Sequence, residues 1–338
     1  MLPKGYLING TMLRWIYERY SFWGLACHAC DGCTGWHTSV CTWRGNSCIA
    51  VASCRQCGAE QFLKKYRQHG IGNKSIAQWE YEVLRHMDGG VESDPPFLLP
   101  RAYHFSATNF ALSLEYLHGE SMDERMRRAR DRKAFEECLR FSAAWLRGLH
   151  AAPLIYDRTG NDYETLLRLL ESDCGSLADR NAMVAQALTC MRRSLNRIND
   201  PPVESVLLHG DFKPSNLIWT PGGVYGVDVG LRFNNAGVMD VAQFIANVLL
   251  NRRNMPAVAR DHEVSLIVDV FLEAYGDNSQ PTRNSTAWLL LYFLLSRWQY
   301  DLEGWKPSML VDRIYAVALA DVMAFCESIG LLASPVNQ

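Results

Sequence analysis

Leu207-Leu208-His209-Gly210-Asp211-Phe212-Lys213-Pro214-Ser215-Asn216-Leu217-Ile218-Trp219 is followed, after a short break, by Val224-Tyr225-Gly226-Val227-Asp228-Val229-Gly230. Two short apolar runs each lead into a carboxylate, Asp211 and Asp228, and Asn216 lies five residues after the first. Such a pattern suits phosphoryl transfer, which asks for positioning and charge neutralisation more than for covalent catalysis. One carboxylate can orient and deprotonate an alcohol. A second carboxylate and an amide oxygen are hard ligands for Mg²⁺, whose remaining positions phosphate and water can fill. A His-Gly-Asp triplet alone is an ordinary turn with the histidine packed inward. The ordered set of His, Asp, Lys, Asn and a later Asp between apolar runs favours the catalytic alternative.

His209-x-Asp211-x-Lys213-x-x-Asn216, with Asp228-Val229-Gly230 after it, resembles the catalytic and metal-binding loops of the kinase-like superfamily. The phrase His-Gly-Asp-Phe-Lys-Pro-Ser-Asn resembles the aminoglycoside phosphotransferase and choline kinase branch. Val229 stands where an aromatic residue is usual. The resemblance implies Asp211, Lys213 and His209 as catalytic-loop residues, with Asp211 the base and Lys213 near the transferred phosphate, and Asn216 and Asp228 as Mg²⁺ ligands. It implies ATP as donor, although these residues do not separate ATP from GTP. Met239-Asp240-Val241-Ala242 matches a further signature of the family, with Asp240 expected to brace the catalytic loop. The implied fold is α+β and two-lobed, a protein-kinase-like arrangement of a small antiparallel-sheet N-lobe and a large, mainly helical C-lobe.

Working upstream, Cys48–Ser53 and Glu60–Tyr66 read as a strand pair joined at Cys57-Gly58. Ser75 to Met87 shows helical spacing with Ser75 as its cap, and 102–106 and 110–116 read as two further strands. A small strand-rich lobe ahead of a large helical one implies a cleft at their junction. The family pattern then implies Lys64, rather than Lys65, for the non-transferred phosphates, with Glu80 holding it. It also implies backbone contacts to the nucleotide base from Glu115, Tyr116 and Leu117. Gly45, in Arg44-Gly45-Asn46-Ser47, is the one candidate for a phosphate-covering loop, and it offers a single glycine. The expected division is an N-terminal Cys- and Trp-rich segment (1–43), an N-lobe (44–114) and a C-lobe (115–338).

Downstream, helical segments are expected at about 121–151, 161–173, 176–198, 237–253, 261–276, 284–304 and 307–328. The acceptor is expected to be a small molecule bearing a hydroxyl: a sugar, an amino alcohol or an aminoglycoside-like compound. Acidic residues Asp162, Glu164, Glu171 and Asp173 could suit a cationic acceptor, or could be exposed helix charges. Trp298, Tyr300, Asp301 and Trp305 could line a sugar pocket, or could simply pack.

Composition narrows the classes. The 338 residues are 48% hydrophobic and 21% charged with net charge −2, which suits a globular core and gives no footprint for nucleic acid. The most apolar stretch, Ala287 to Leu295, falls short of the ~20 residues a membrane span needs. No export signal is legible, so the cytoplasm is the expected compartment. Oligomeric state is not encoded in any motif.

Seven of the eleven cysteines fall between Cys27 and Cys57. Cys27-x-x-Cys30 and Cys54-x-x-Cys57, separated by 23 residues, have the spacing of a structural zinc module. Against zinc, Cys54–Cys57 already forms a strand-joining turn, and seven thiols exceed one tetrahedral site without filling two. Unligated core thiols and an aberrant N-terminal segment are the alternatives. Two other functions therefore stay open beside the kinase: an impaired kinase-like nucleotide-binding scaffold, and a zinc-binding interaction module on a vestigial lobe.

Overall fold

The computed structural model describes residues 25–30, 35–44, 47–66, 70–71, 74–87, 97–154, 160, 162–198, 205–230, 234–255, 257, 263–304 and 309–332. The chain divides into two compact units. The first comprises Met1–Val91 and Leu99–His118, and the second Glu92–Leu98 and Gly119–Gln338.

The first unit is built on five antiparallel strands: β1 (Trp36–Arg44), β2 (Ser47–Cys54), β3 (Glu60–Tyr66), β6 (Ala102–Ser106) and β7 (Ala111–Glu115), in the order β1-β2-β3-β7-β6. Two-residue strands β4 (Gly70–Ile71) and β5 (Lys74–Ser75) pair ahead of helix α1 (Ile76–Met87). Side chains alternate across a strand, and that alternation decides which face each β3 residue serves. Gln61 and Leu63 point to one side, where Leu63 joins Leu25, Cys27, Trp36, Cys48, Ala50, Ala52 and Cys54. Phe62, Lys64 and Tyr66 point to the other, where α1 packs Ala77 and Leu84 against Leu112 and Leu114. Ser75 caps α1 by accepting the Gln78 N–H at 3.1 Å. A first strand with its loop is expected between about Gly32 and Ser53, and β1 falls within that range. It starts at Trp36 and pairs with β2 along its whole length, apart from an irregularity between Thr38 and Val40.

The second unit opens with β8 (Glu120–Ser121), then helices α2 (Met122–Arg127), α3 (Arg132–His150), α4 (Tyr163–Ala178) and α5 (Ala182–Ile198). Strand β9 (Ser205–Leu207), β10 (Leu217–Thr220), β11 (Gly223–Gly226) and β12 (Asn234–Ala236) carry the motif region. Helices α6 (Val238–Asn251), α7 (Val264–Tyr275), α8 (Gln280–Gly304) and α9 (Met309–Ser328) complete it. Strands β11, β10 and β8 form one small sheet, and β12 pairs with β9.

Two expected helix boundaries are corrected. The continuous helix over 121–151 is two helices, because Asp131 caps α3 by accepting the Ala134 N–H at 2.8 Å. The break expected near Gly175 falls later. Gly175 sits inside α4, and Asn181 starts α5 by accepting the N–H groups of Met183 and Val184. The apolar run in α8 is core, with Ala287 to Leu291, Leu294 and Leu295 almost fully buried. Among the described residues, no helix is long and apolar enough to cross a membrane.

Candidate active site

The motif residues lie on two loops that the backbone ties together. β9 runs into the first loop, where Pro214–Asn216 make a single 3-10 turn before β10. The hairpin β10–β11 then carries the chain to Asp228. Two hydrogen bonds join the loops: Val227 N–H donates to Asn216 O at 2.9 Å, and Gly230 N–H donates to His209 O at 2.8 Å. Asp228 therefore lies between two backbone anchors on the first loop. It is also one of two described non-glycine residues with positive φ, at 59°. Such a backbone costs on the order of 1–3 kcal/mol and persists only where its surroundings enforce it.

Around Asp211 the side chains converge. The amide nitrogen of Asn216 donates to Asp211 O at 2.9 Å and to Asp211 Oδ2 at 3.1 Å. Those two acceptors fix the orientation of the amide, so its oxygen faces away from Asp211. Lys213 Nζ reaches Asp211 Oδ2 at 2.5 Å. The exposed carboxylate of Asp228 and the amide oxygen of Asn216 are hard oxygen donors, and this donor set fits a divalent cation of the Mg²⁺ kind.

Beneath the loop lies a buried polar brace. Asp240, on α6, accepts the N–H groups of His209 (2.6 Å) and Gly210 (3.1 Å). Its Oδ2 also meets His150 Nε2 at 3.2 Å. A carboxylate only accepts, so Nε2 carries a proton, and Nδ1 meets the Tyr275 hydroxyl at 2.7 Å. Burial, with Asp240 nearby, pushes the Tyr275 phenol well above its ordinary value and keeps it a donor. Gln243 accepts the Phe212 N–H at 2.9 Å.

His209 itself is fully buried, with its Nδ1 accepting the Asp211 N–H at 3.3 Å. Burial lowers its pKa despite the opposing pull of Asp240 and Asp211. The ring packs against Trp145 and Phe212. It touches Asp211 through the backbone. Trp145 is the floor: its indole stacks on Phe212 and donates to Leu98 O at 3.0 Å. A side chain on Gly226 would place Cβ 2.0 Å from the indole, so only glycine fits there.

In the first unit the structure brings Lys64 and Glu80 together. Lys64 Nζ lies 2.9 and 3.0 Å from the two Glu80 oxygens, and both side chains are buried. The Tyr66 hydroxyl donates to the same carboxylate. Alternation along β3 explains the choice of lysine: Lys64 faces α1, as Tyr66 does, whereas Lys65 faces the other side. Glu115 ends β7, its carboxylate accepting the Arg101 N–H at 3.1 Å, and half-buried Tyr116 and Leu117 follow outside the strand. Gly45 lies outside the described residues.

Several residues weighed for the acceptor have structural duties. Asp162 caps α4 through Thr165 N–H at 2.7 Å, and Glu171 pairs with Arg192 at 2.5 Å. Trp298 is buried and donates to Asp312, and Asp301 accepts the Tyr315 hydroxyl. Tyr300 is exposed, and Trp305 lies outside the described residues. His150, Tyr275, Gln243 and Trp145 were not anticipated from the sequence.

A model of the phosphotransferase enzyme family matches residues 57–287. No curated protein of similar sequence was found. Solved structures share the fold at low identity. A choline/ethanolamine kinase family protein from Mesorhizobium loti is 12% identical, with 90% of each chain covered and a TM-score of 0.56. A microcompartment-associated aminopropanol kinase is also 12% identical, covering 94% of this chain and 99% of that one, with a TM-score of 0.63. An amicoumacin kinase, in complex with AMP-PNP and Ca²⁺, is 11% identical, covering 94% of both chains with a TM-score of 0.59. The fold is thus the kinase-like one, an antiparallel-sheet unit and a mainly helical unit.

Proposed function

This chain belongs to the phosphotransferase enzyme family, and from that premise we propose that it moves the γ-phosphate of ATP to a hydroxyl of a small acceptor. An amino alcohol, a sugar or an aminoglycoside-like compound is the acceptor class. Two of the similar structures are described as kinases of amino alcohols, which supports the amino-alcohol end of that range.

The supporting observation is the convergence on Asp211. With Oδ2 engaged by Asn216 and Lys213, Oδ1 is the oxygen assigned to orient the acceptor O–H and take its proton. The acceptor oxygen then bonds to the γ-phosphorus as the bond to the β,γ-bridging oxygen breaks. Lys213 is assigned to neutralise charge on the transferring group once it leaves Asp211. Asn216 and Asp228 are assigned to hold Mg²⁺, which when bound neutralises the charge on the phosphate oxygens. Lys64, held by Glu80, is assigned the non-transferred phosphates, and the backbone of Glu115 to Leu117 the base. The Asp240–His150–Tyr275 brace keeps the His209–Asp211 backbone in position.

Calorimetric titration with Mg-ATP tests the division of labour. Asp228→Ala should weaken metal-dependent nucleotide binding at least about tenfold, since one charge-assisted contact is worth about 1.5–3 kcal/mol. Asp211→Ala should bind Mg-ATP nearly as the wild type does. Equal loss in both variants, or in neither, contradicts the assignment.

A further inference from the structure

Four cysteines that phosphoryl transfer does not use meet on one side of the first unit. Cys27 and Cys30 flank the turn ahead of β1, while Cys54 ends β2 and Cys57 precedes β3. Their Sγ atoms all lie within 4.8 Å of one another. Two separations are resolved: Cys27 to Cys57 at 3.5 Å and Cys30 to Cys54 at 3.7 Å. A disulfide requires about 2.05 Å. Four sulfurs about 2.3 Å from a central ion stand about 3.8 Å apart at tetrahedral angles. The observed spacing is that of ligands around one ion.

The backbone is arranged for thiolates as well. Ala29 N–H donates to Cys27 Sγ at 3.4 Å, and Gln56 N–H donates to Cys54 Sγ at 3.3 Å. The first cysteine of each pair thus accepts from the residue two positions on, so two segments far apart in sequence repeat one turn. Gly58, at φ +75°, lets the chain leave the second turn and return into β3. Gln61, fully buried, donates from its amide to Cys27 Sγ at 3.7 Å, while its carbonyl accepts from Ser113. Metal sites commonly carry such outer partners. Cys27 and Cys54 are buried. A bound dication would hold the whole set deprotonated.

We propose that Cys27, Cys30, Cys54 and Cys57 bind one structural zinc ion that staples the 25–30 segment to the β2–β3 turn. The four-thiolate donor set, closed and with no place for substrate, suits zinc in a structural role. The strand-joining turn at 54–57 and the metal turn are then one feature, so the first does not argue against the second. Of the three remaining cysteines in this region, Cys48 packs in the β2 core, Cys41 lies on β1 and Cys33 lies outside the described residues. β3 begins three residues after Cys57, so the staple also anchors the strand that carries Lys64.

The test is metal content of the full-length protein, read by mass spectrometry after dialysis. It needs no phosphotransfer, so it stands or fails apart from the proposed activity. The wild type should hold about one zinc per chain. A Cys30→Ser/Cys57→Ser double variant should lose it, while Cys190→Ser, in the second unit, should keep it. Should the double variant not fold, cobalt substitution of the wild type decides: strong visible bands of a tetrahedral thiolate site support the proposal. Zinc-free protein that takes up no cobalt would overturn it. So would Cys27–Cys57 and Cys30–Cys54 disulfides in a non-reduced digest, or full zinc content in a folded double variant.

Discussion

Replacing Asp240 by Asn probes the brace beneath the catalytic loop with a minimal change of shape. The carboxylate serves three donors: His209 N–H and His150 Nε2–H on Oδ2, and Gly210 N–H on Oδ1. An amide keeps one oxygen. If that oxygen takes the Oδ2 position, Gly210 N–H faces an NH₂ group in a buried site. One unsatisfied donor costs about 1–3 kcal/mol, and loss of charge weakens each surviving bond by about 1 kcal/mol, so the sum is about 3–5 kcal/mol. At about 2–4 °C per kcal/mol for a domain of this size, the second unit should melt roughly 6–20 °C lower. Because His209 and Gly210 set the backbone that presents Asp211, phosphotransfer should fall more than about tenfold as well. Calorimetry on the full chain reads the first effect, and labelled-nucleotide turnover well below the new midpoint reads the second. A variant melting within about 2 °C of the wild type would refute the reasoning, because the buried donors would then have found other partners.

Gly226→Ala should destabilise by about 3 kcal/mol, read as a lower urea midpoint, because the indole it strikes is held by Leu98 and Phe212 and cannot swing away. Glu80→Gln should cost about 3–5 kcal/mol by leaving Lys64 buried without its counter-charge. A Lys64→Met/Glu80→Leu double variant should be more stable than Glu80→Gln in the same denaturation assay. Stability should also fall as the medium is acidified below the ordinary histidine value of 6.5, since His209 has a depressed folded pKa and the unfolded chain takes up the proton first. The slope from this group is at most about 1.4 kcal/mol per pH unit, and His209→Gln should remove its share from a pH series of midpoints.

What the sequence disclosed, and what it withheld, follows from distance along the chain. Asp211, Lys213 and Asn216 sit within six residues, so their pattern is readable as a string. Lys64 and Glu80 are sixteen apart, yet a strand period and a helix period each nominate a face, and the two faces meet. His150 and Tyr275 support the same loop from 90 and 125 residues away from their partners, and nothing in their local sequence marks them. Trp145 is similar: it reads as one core aromatic of α3 until Gly226 is found against it. The helix break expected between 173 and 176 falls later, because Gly175 is accommodated inside α4 and the polar cap Asn181 starts α5. The cysteines show the same limit. Spacing nominated two pairs among seven thiols, but only the folded hairpin brings Cys54 and Cys57 to Cys27 and Cys30.

Transfer of label from [γ-phosphate]-labelled ATP to pooled amino alcohols, sugars and aminoglycosides, run with wild type and Asp211→Asn side by side, addresses the chemistry most directly. A labelled acceptor should form with Mg²⁺ and wild type, and its rate should fall at least about a hundredfold in the variant, as loss of a general base requires. Undiminished transfer by Asp211→Asn, or no acceptor labelled from any pool by a protein that binds Mg-ATP, would contradict it.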